Sequence, residues 1–427
     1  MKIKETINKL MKKKSIKNGI WLYSLQFFNS VIPLLTLPYI TRVLGANKFG
    51  VFSIAINIIA YYQVIVDYGF DLSATRKVSL LENNRKSIDK IYSSVIISRF
   101  ILLCFSLFIT CVYIILNINN TSQWICLLIL MITLFGSCIS INWFYQGIQQ
   151  MKYIAIVNVI SRTISVILIF LLVKSKNDLY IYCFLYSISP VISGVLGLVF
   201  AKRKFNIKFV HVKFNDILDE FKTGWYVFTT QLSSKVFGAI GITFLGIFAK
   251  PYEVGIYSAI QKIPNILILA WVPIPQVVYP ISSKKFSQSF ETGEKFIKRI
   301  RRIFIPIFLL LAIVISIFSK SIVGIIFGRD YTARFYWMIP LLLWMVVAIN
   351  NNFIGIQTLL AAGYDKRYSK CFQLSVLITI LTNFLLIYFF KGSGASIAPL
   401  LSEIFLSILL IREIKLVKKE NKVSEIK

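Results

Sequence analysis

Apolar residues run in long stretches along this chain, and polar residues collect in short intervals between them. A helix needs roughly 20 such residues to cross hydrocarbon. About twelve stretches qualify, near 20–41, 50–67, 92–116, 124–146, 154–173, 179–200, 224–248, 254–280, 303–318, 337–362, 372–390 and 393–411. The ninth is short and is expected to begin earlier, inside the basic segment before it. The runs are far longer than a barrel strand and lack its polar alternation. The pattern predicts an all-α membrane protein with about twelve transmembrane helices.

Composition supports this. Hydrophobic residues make up 57% of the 427-residue chain and charged residues 15%, where a soluble domain is roughly a quarter charged. Lys and Arg number 48 against 18 Asp and Glu, a formal net charge of +30. Such a balance is a nucleic-acid footprint when it forms one patch. Here the cations lie in short loops between apolar runs, so no nucleic acid is expected. Six cysteines show no C-x-x-C spacing and read as small apolar filler. With the lone His211 in a basic loop, no metal site or cofactor is expected.

The basic start, Met1–Lys17, lacks a small-residue cleavage site after its apolar run and does not read as a cleavable signal. Ile3, Ile7 and Leu10 share one helical face there, as in a helix lying in the membrane interface. Sorting the cations outside the runs by loop gives 35 on one side, termini included, and 9 on the other. By the positive-inside rule both termini are cytoplasmic, and much of the charge serves topology and attraction to anionic membrane lipids.

An internal repeat accompanies the runs. A shift of 205 superposes Lys17 on Lys222, Gly19 on Gly224 and Gln26 on Gln231, and places Gly50-Val51-Phe52-Ser53 on Gly255-Ile256-Tyr257-Ser258. A weaker match, at about 216, pairs Gly147 and Lys152-Tyr153 with Gly363 and Arg367-Tyr368. The expected organisation is a basic N-terminal segment (1–19), a six-helix bundle (20–200), a cytoplasmic linker (201–223), a second six-helix bundle (224–411) and a basic tail (412–427). Six spans return the chain to its starting side, so the halves are parallel repeats with a substrate site expected at their interface.

Ionised groups at mid-bilayer cost at least about 2.5–3.5 kcal/mol and mark polar paths. Arg99, Arg162, Lys235, Lys262 and Glu403 fall within the runs, and Asp67 and Arg42 lie near run ends. Four cations against one clear anion point to an anionic cargo. The blander reading is snorkelling, in which a long stem carries the charge back to the interface, and it suits Arg99 best. Amides crowd the same region: Gln26, Asn29, Asn57, Gln63, Gln231, Gln261, Asn265, Asn350-Asn351-Asn352 and Gln357. They can bond sugar hydroxyls or neighbouring helices. Pro33 and Pro38 interrupt the first run, and Pro264, Pro273, Pro275 and Pro280 interrupt the eighth, favouring kinks that are either static or part of gating.

Several segments together resemble a known family. They are Leu37-Pro38-Tyr39-Ile40-Thr41-Arg42-Val43-Leu44-Gly45 with Phe49-Gly50-Val51-Phe52-Ser53, Asp67-Tyr68-Gly69-Phe70 with Ala74-Thr75-Arg76, Trp143-Phe144-Tyr145-Gln146-Gly147 with Met151-Lys152-Tyr153, Val254-Gly255-Ile256-Tyr257-Ser258-Ala259, and Ile326-Phe327-Gly328-Arg329-Asp330-Tyr331. The ordered set, from about residue 15 to 411, resembles the O-antigen and capsular polysaccharide flippases. Their superfamily also holds multidrug–cation antiporters and the peptidoglycan lipid flippase. The resemblance implies two parallel six-helix bundles around a central V-shaped cavity. It implies a polyprenyl-pyrophosphate-linked oligosaccharide as substrate, a bacterial inner membrane location, and a polysaccharide polymerase and glycosyltransferases as possible partners. Arg42 and Lys262 are its first candidates for headgroup contact, with Arg76 a weaker one. Lys235, Arg162 and Arg99 rest on position within the runs. Glu403 and Asp67 are candidates for ion coupling.

Two other classes compete. A multidrug–cation antiporter wants carboxylates in its cavity, where this chain offers mainly cations. A membrane glycan polymerase or glycosyltransferase is expected to carry a large outer loop or an acidic metal motif such as D-x-D, and neither is present. No catalytic residue is expected.

Overall fold

Hydrocarbon offers backbone N–H and C=O groups no partner, so a spanning segment must close its own hydrogen bonds. The computed structural model, which describes residues 14–81 and 84–426, is accordingly built from helices, with no strand among the described residues. The proposed interfacial helix around Ile3, Ile7 and Leu10 lies outside them. Among the described residues ten segments are long and apolar enough to span a membrane. Two of these, 24–80 and 365–420, each contain an internal break that separates two spans, which accounts for the twelve runs of the sequence.

Helix α1 (Lys14–Asp67) is broken at Gly45, whose φ of 72° needs a residue without Cβ. It leads through a turn at Tyr68-Gly69 into the short α2 (Phe70–Leu80). Then follow α3 (Arg85–Leu116), α4 (Thr121–Ile139), the single-turn α5 (Asn142–Gly147), α6 (Met151–Leu172) and α7 (Leu179–Phe205). Helix α8 (Phe214–Phe248) contains the boundary, at Val236–Phe237, between two compact units.

Within the first unit, α4 and α7 approach through glycines. A Cβ on Gly136 would stand 2.6 Å from the Pro190 carbonyl carbon, and one on Gly194 would stand 2.5 Å from Ile139 and 3.0 Å from the Gly136 carbonyl oxygen. Lipid supplies little drive for helices to associate, so close van der Waals contact of this kind does the work. Helix α3 uses small hydroxyls in the same way. Ser98 Oγ donates to the Ser94 carbonyl, Ser106 to Leu102, and Thr110 to Ser106. Each buried hydroxyl is thus satisfied inside its own helix. The core at the α2–α5 end joins Phe70, Ala74 and Val78 to Trp143, Phe144 and Tyr145. The first part of α8 packs on it, with Tyr68 stacked 4.6 Å from Phe228, and Glu220 paired with Lys77 at 2.8 Å.

The second unit continues with α9 (Pro251–Ile260), α10 (Lys262–Trp271) and α11 (Pro273–Phe286), one apolar run cut into short helices at its prolines. Helix α12 (Phe290–Ile317) starts well before the apolar run at 303, as the sequence led one to expect. After α13 (Ser319–Phe327) and a 3-10 turn (Arg329–Trp337) comes α14 (Met338–Ile354), which passes into a π-helical segment, Gly355–Leu360. Helix α15 (Asp365–Ile426) is broken at Lys391, φ 49° and ψ −125°. Trp271 meets Phe304, Phe308 and Phe353 edge-on in the core. Large apolar side chains such as Phe108, Leu171, Leu310 and Phe389 stay exposed, as lipid-facing residues should.

Replacing Gly194 by Leu is expected to hold α4 and α7 apart and cost about 1–3 kcal/mol through overpacking, seen as a lower thermal unfolding midpoint of the purified protein. Gly238→Ala is the control, because a Cβ there meets nothing within 4 Å, and it should leave the midpoint unchanged or raised.

Candidate functional site

Arg99 is the largest charge buried in the first unit, 1% exposed on α3. It does not snorkel, because partners come to it. Helix α4 is capped by Ser140, whose extended backbone ends the helix and whose N–H donates to the Ser137 carbonyl at 3.1 Å. The guanidinium adds to that end: Nη1 donates to the carbonyls of Ser140 (2.7 Å) and Ser137 (3.1 Å). Nη2 donates to Asp71 Oδ1 at 2.7 Å and lies 3.5 Å from Asp67 Oδ1. The planar fork of Arg suits such a convergence of carbonyls and carboxylates. Tyr68 (φ 43°) and Gly69 (φ 79°) turn the chain between the two aspartates and leave both near the same cation. Gln63 extends the network, donating to Asp67 Oδ2 at 2.8 Å and meeting Ser137 Oγ at 2.7 Å. One cation therefore faces two carboxylates, and Arg99 carries no spare positive charge. Only Nε of Arg99 is buried without a partner.

Glu403, 7% exposed on α15, is the second unit's counterpart in burial but not in pairing. No Lys or Arg among the described residues lies within ion-pair distance of it. Asn351 of α14 clamps it, Nδ2 donating to Oε2 at 2.6 Å and to the Glu403 carbonyl at 2.8 Å. Ser407 Oγ donates in turn to Asn351 Oδ1. Thr382 and Ser402 hydroxyls are bonded at 2.9 Å. The amide oxygens of Asn350, Asn352, Gln357 and Asn383 are buried in the same unit with no donor. A carboxylate fixed by an amide, with unused carbonyl oxygens in the unit, is oxygen-ligand chemistry suited to a proton or a small hard cation. No cluster of three His, Cys, Asp or Glu exists among the described residues.

The other candidates divide by burial. Arg42, near the Gly45 break, Arg76 on α2 and Lys262, which opens α10, are exposed. Arg162 on α6 and Lys235 on α8 are half-buried, and neither has an ion-pair partner among the described residues. The structure thus brings Arg99 and Asp67 together and leaves Arg162 and Lys235 without a carboxylate. Sequence reasoning missed Asp71, Ser137 and Ser140. Asp71 follows Asp67 by four residues, which is a usable signal. The two carbonyls give none, since any residue supplies them. The Asn29 side chain lies outside the described residues.

Among the described residues the chain is all-helical and multi-pass with polar groups buried in its spans, which defines it as a polytopic helical membrane protein. Solved structures agree on the fold. One named as an inward-facing multidrug resistance MATE family transporter of the MOP superfamily matches with a TM-score of 0.69 at 12% identity, covering 91% of this chain and 96% of that one. The lipid II flippase MurJ matches with a TM-score of 0.71 at 15% identity, covering 94% and 87%. The chain belongs to the polysaccharide biosynthesis protein family, whose profile matches residues 15–286. It is similar to a protein of Escherichia coli (strain K12) named "Putative O-antigen transporter", 26% identical over 92% of this chain and 95% of that one. It is also similar to a Haloferax volcanii protein named "Probable low-salt glycan biosynthesis flippase Agl15", 23% identical over 90% of this chain and 80% of that one.

Removing Arg99 is expected to strand two carboxylates. Arg99→Met should cost less than the about 3–5 kcal/mol of breaking a fully buried pair from one side, because the Asp71 and Asp67 side chains are 45% and 24% exposed. Arg99→Met combined with Asp71→Leu and Asp67→Asn should recover most of that loss, as read by thermal unfolding of the purified variants.

Proposed function

We propose that the protein is a flippase that moves polyprenyl-pyrophosphate-linked oligosaccharide units across the bacterial cytoplasmic membrane by alternating access, for O-antigen, capsule or related polysaccharide assembly. The supporting observation is membership of the polysaccharide biosynthesis family, together with near full-length similarity to a protein named for O-antigen transport. Both termini face the cytoplasm in this reading, because the heavily basic loops fall on that side. Transport, not catalysis, is the activity, and the relatives are named transporters or flippases. A polymerase and glycosyltransferases are the partners such a role calls for.

The chemistry fits the residues. A pyrophosphate needs charge-assisted donors away from bulk water. Arg162 and Lys235 are half-buried cations with no carboxylate of their own, so they are assigned to the headgroup, with Arg42, Lys262 and Arg76 as exposed cations that attract it. Arg99 is set aside, since Asp67 and Asp71 already neutralise it. Glu403, held by Asn351, is assigned to the coupling ion, with Asp67 the weaker candidate because Arg99 and Gln63 engage it.

Arg162→Ala and Lys235→Ala are each expected to slow translocation of a lipid-linked glycan in proteoliposomes about 10-fold, the loss of one hydrogen-bonded charge, with normal protein levels. Unchanged rates in both single variants and in the double variant would overturn the headgroup assignment. Glu403→Gln should remove the dependence of the rate on an imposed ion gradient. If the wild-type rate does not change when all gradients are collapsed, the coupling assignment fails.

A further inference from the structure

The second unit holds a cavity of about 250 Å³ that none of the candidate site residues lines. Its walls come from the first turns of α12 and the late turns of α15. Its most buried lining is Ile297, Phe353 and Ile354 with the hydroxyl-bearing Thr358, and its less buried lining holds Ile414 and the cations Lys298, Arg301, Lys415 and Lys418. Glu294 is the lone carboxylate of the lining. It is already committed, to Lys298 at 3.0 Å and Lys418 at 2.5 Å. Arg301 and Lys415 are left with no ion-pair partner among the described residues. The same helices expose Ile303 and Ile307 on α12, and Ile408 and Ile411 on α15, along the apolar runs that lead away from these cations.

A mainly apolar buried lining beside two uncommitted cations suits neither water nor a free ion, since the ion would leave that lining unfilled. It suits an amphiphile with an anionic head. Basic pockets between spans on the cytoplasmic side take lipid phosphates for this reason. The volume is below the roughly 300–1,000 Å³ of closed small-molecule sites, enough for a headgroup and the start of a chain, with the remainder lying along the exposed isoleucines. We propose that this cavity is a resident site for an anionic diacyl phospholipid, its phosphodiester held between Arg301 and Lys415. The inference makes no use of the transported substrate. A polyprenyl pyrophosphate presents similar head chemistry, so the test must separate the two.

The full-length protein is purified into nanodiscs of equal parts phosphatidylglycerol and phosphatidylethanolamine, and retained lipid is counted by native mass spectrometry. Phosphatidylglycerol is expected to be retained in preference. The Arg301→Ala and Lys415→Ala double variant should lose this preference by roughly 10-fold or more, two basic contacts being removed. Arg301→Lys with Lys415→Arg should keep it, as should Lys366→Ala with Lys370→Ala, a pair of exposed cations outside the lining. Added inorganic phosphate and added polyprenyl pyrophosphate should leave the retained lipid in place. Equal retention of the two phospholipids would overturn the proposal, as would equal loss in the alanine and conservative pairs. Displacement by phosphate would make this an ion site, and one-for-one displacement by polyprenyl pyrophosphate would make it a substrate site. Either would overturn the resident lipid. Lipid retention is read without transport, so a failure of the flippase reading leaves this result intact, and the converse holds.

Discussion

A solvent that cannot hydrogen-bond governs this molecule. Within the bilayer each donor and acceptor must find a partner in the protein or be paid for in stability. Helices satisfy the backbone, serines and threonines turn back on their own helices, and glycines let α4 and α7 approach within van der Waals contact. Polar groups that escape this economy are informative, because lipid gives no reason to keep them.

Seen this way, the two units spend their polar groups differently. In the first, Arg99 gathers two aspartates and the carbonyl end of α4. Such a knot ties α1, α2, α3 and α4 at one point, and its charges are largely consumed by one another. In the second, Glu403 has an amide and a hydroxyl for company but no cation. The same unit also buries the amide oxygens of Asn350, Asn352, Gln357 and Asn383 without donors. A structural knot and an acid without a counter-charge call for different explanations, and only the second leaves ligand capacity unused.

Much of the fold was legible because it follows from hydrophobic length alone. Twelve runs became spans, and the early start of α12 was expected from the shortness of its apolar run. Short elements escaped notice: α2, α5, α13 and the π-helical segment are set by tertiary packing and not by periodicity. The candidate site was legible as residue types but not as pairings. Arg99 was read as the cation best suited to snorkelling, and the structure corrects that by burying it; its main ligands include two backbone carbonyls, and a carbonyl has no letter in a sequence. Asp71 was overlooked because the apolar run was taken to end at Asp67, and it is the turn at Tyr68-Gly69, not helical spacing, that leaves both aspartates near one cation. Proline positions read only in part: Pro264 and Pro273 stand near the breaks among α9, α10 and α11, whereas Pro33, Pro38 and Pro280 lie inside helix and the break in α1 falls at Gly45.

The break at Lys391 has a mechanical consequence. The last two spans are joined by a single non-helical residue in a conformation rare for a lysine, and the turn is fastened on several sides. Glu253 accepts the Gly392 N–H, the Trp337 indole donates to Ser393, and the Lys391 ammonium rests over Phe248 and Tyr388. Contacts from the end of α8, from α9 and from the 3-10 turn thus converge on the bend between spans 372–390 and 393–411, so a substitution at Glu253, Trp337 or Phe248 would be felt by both spans at once.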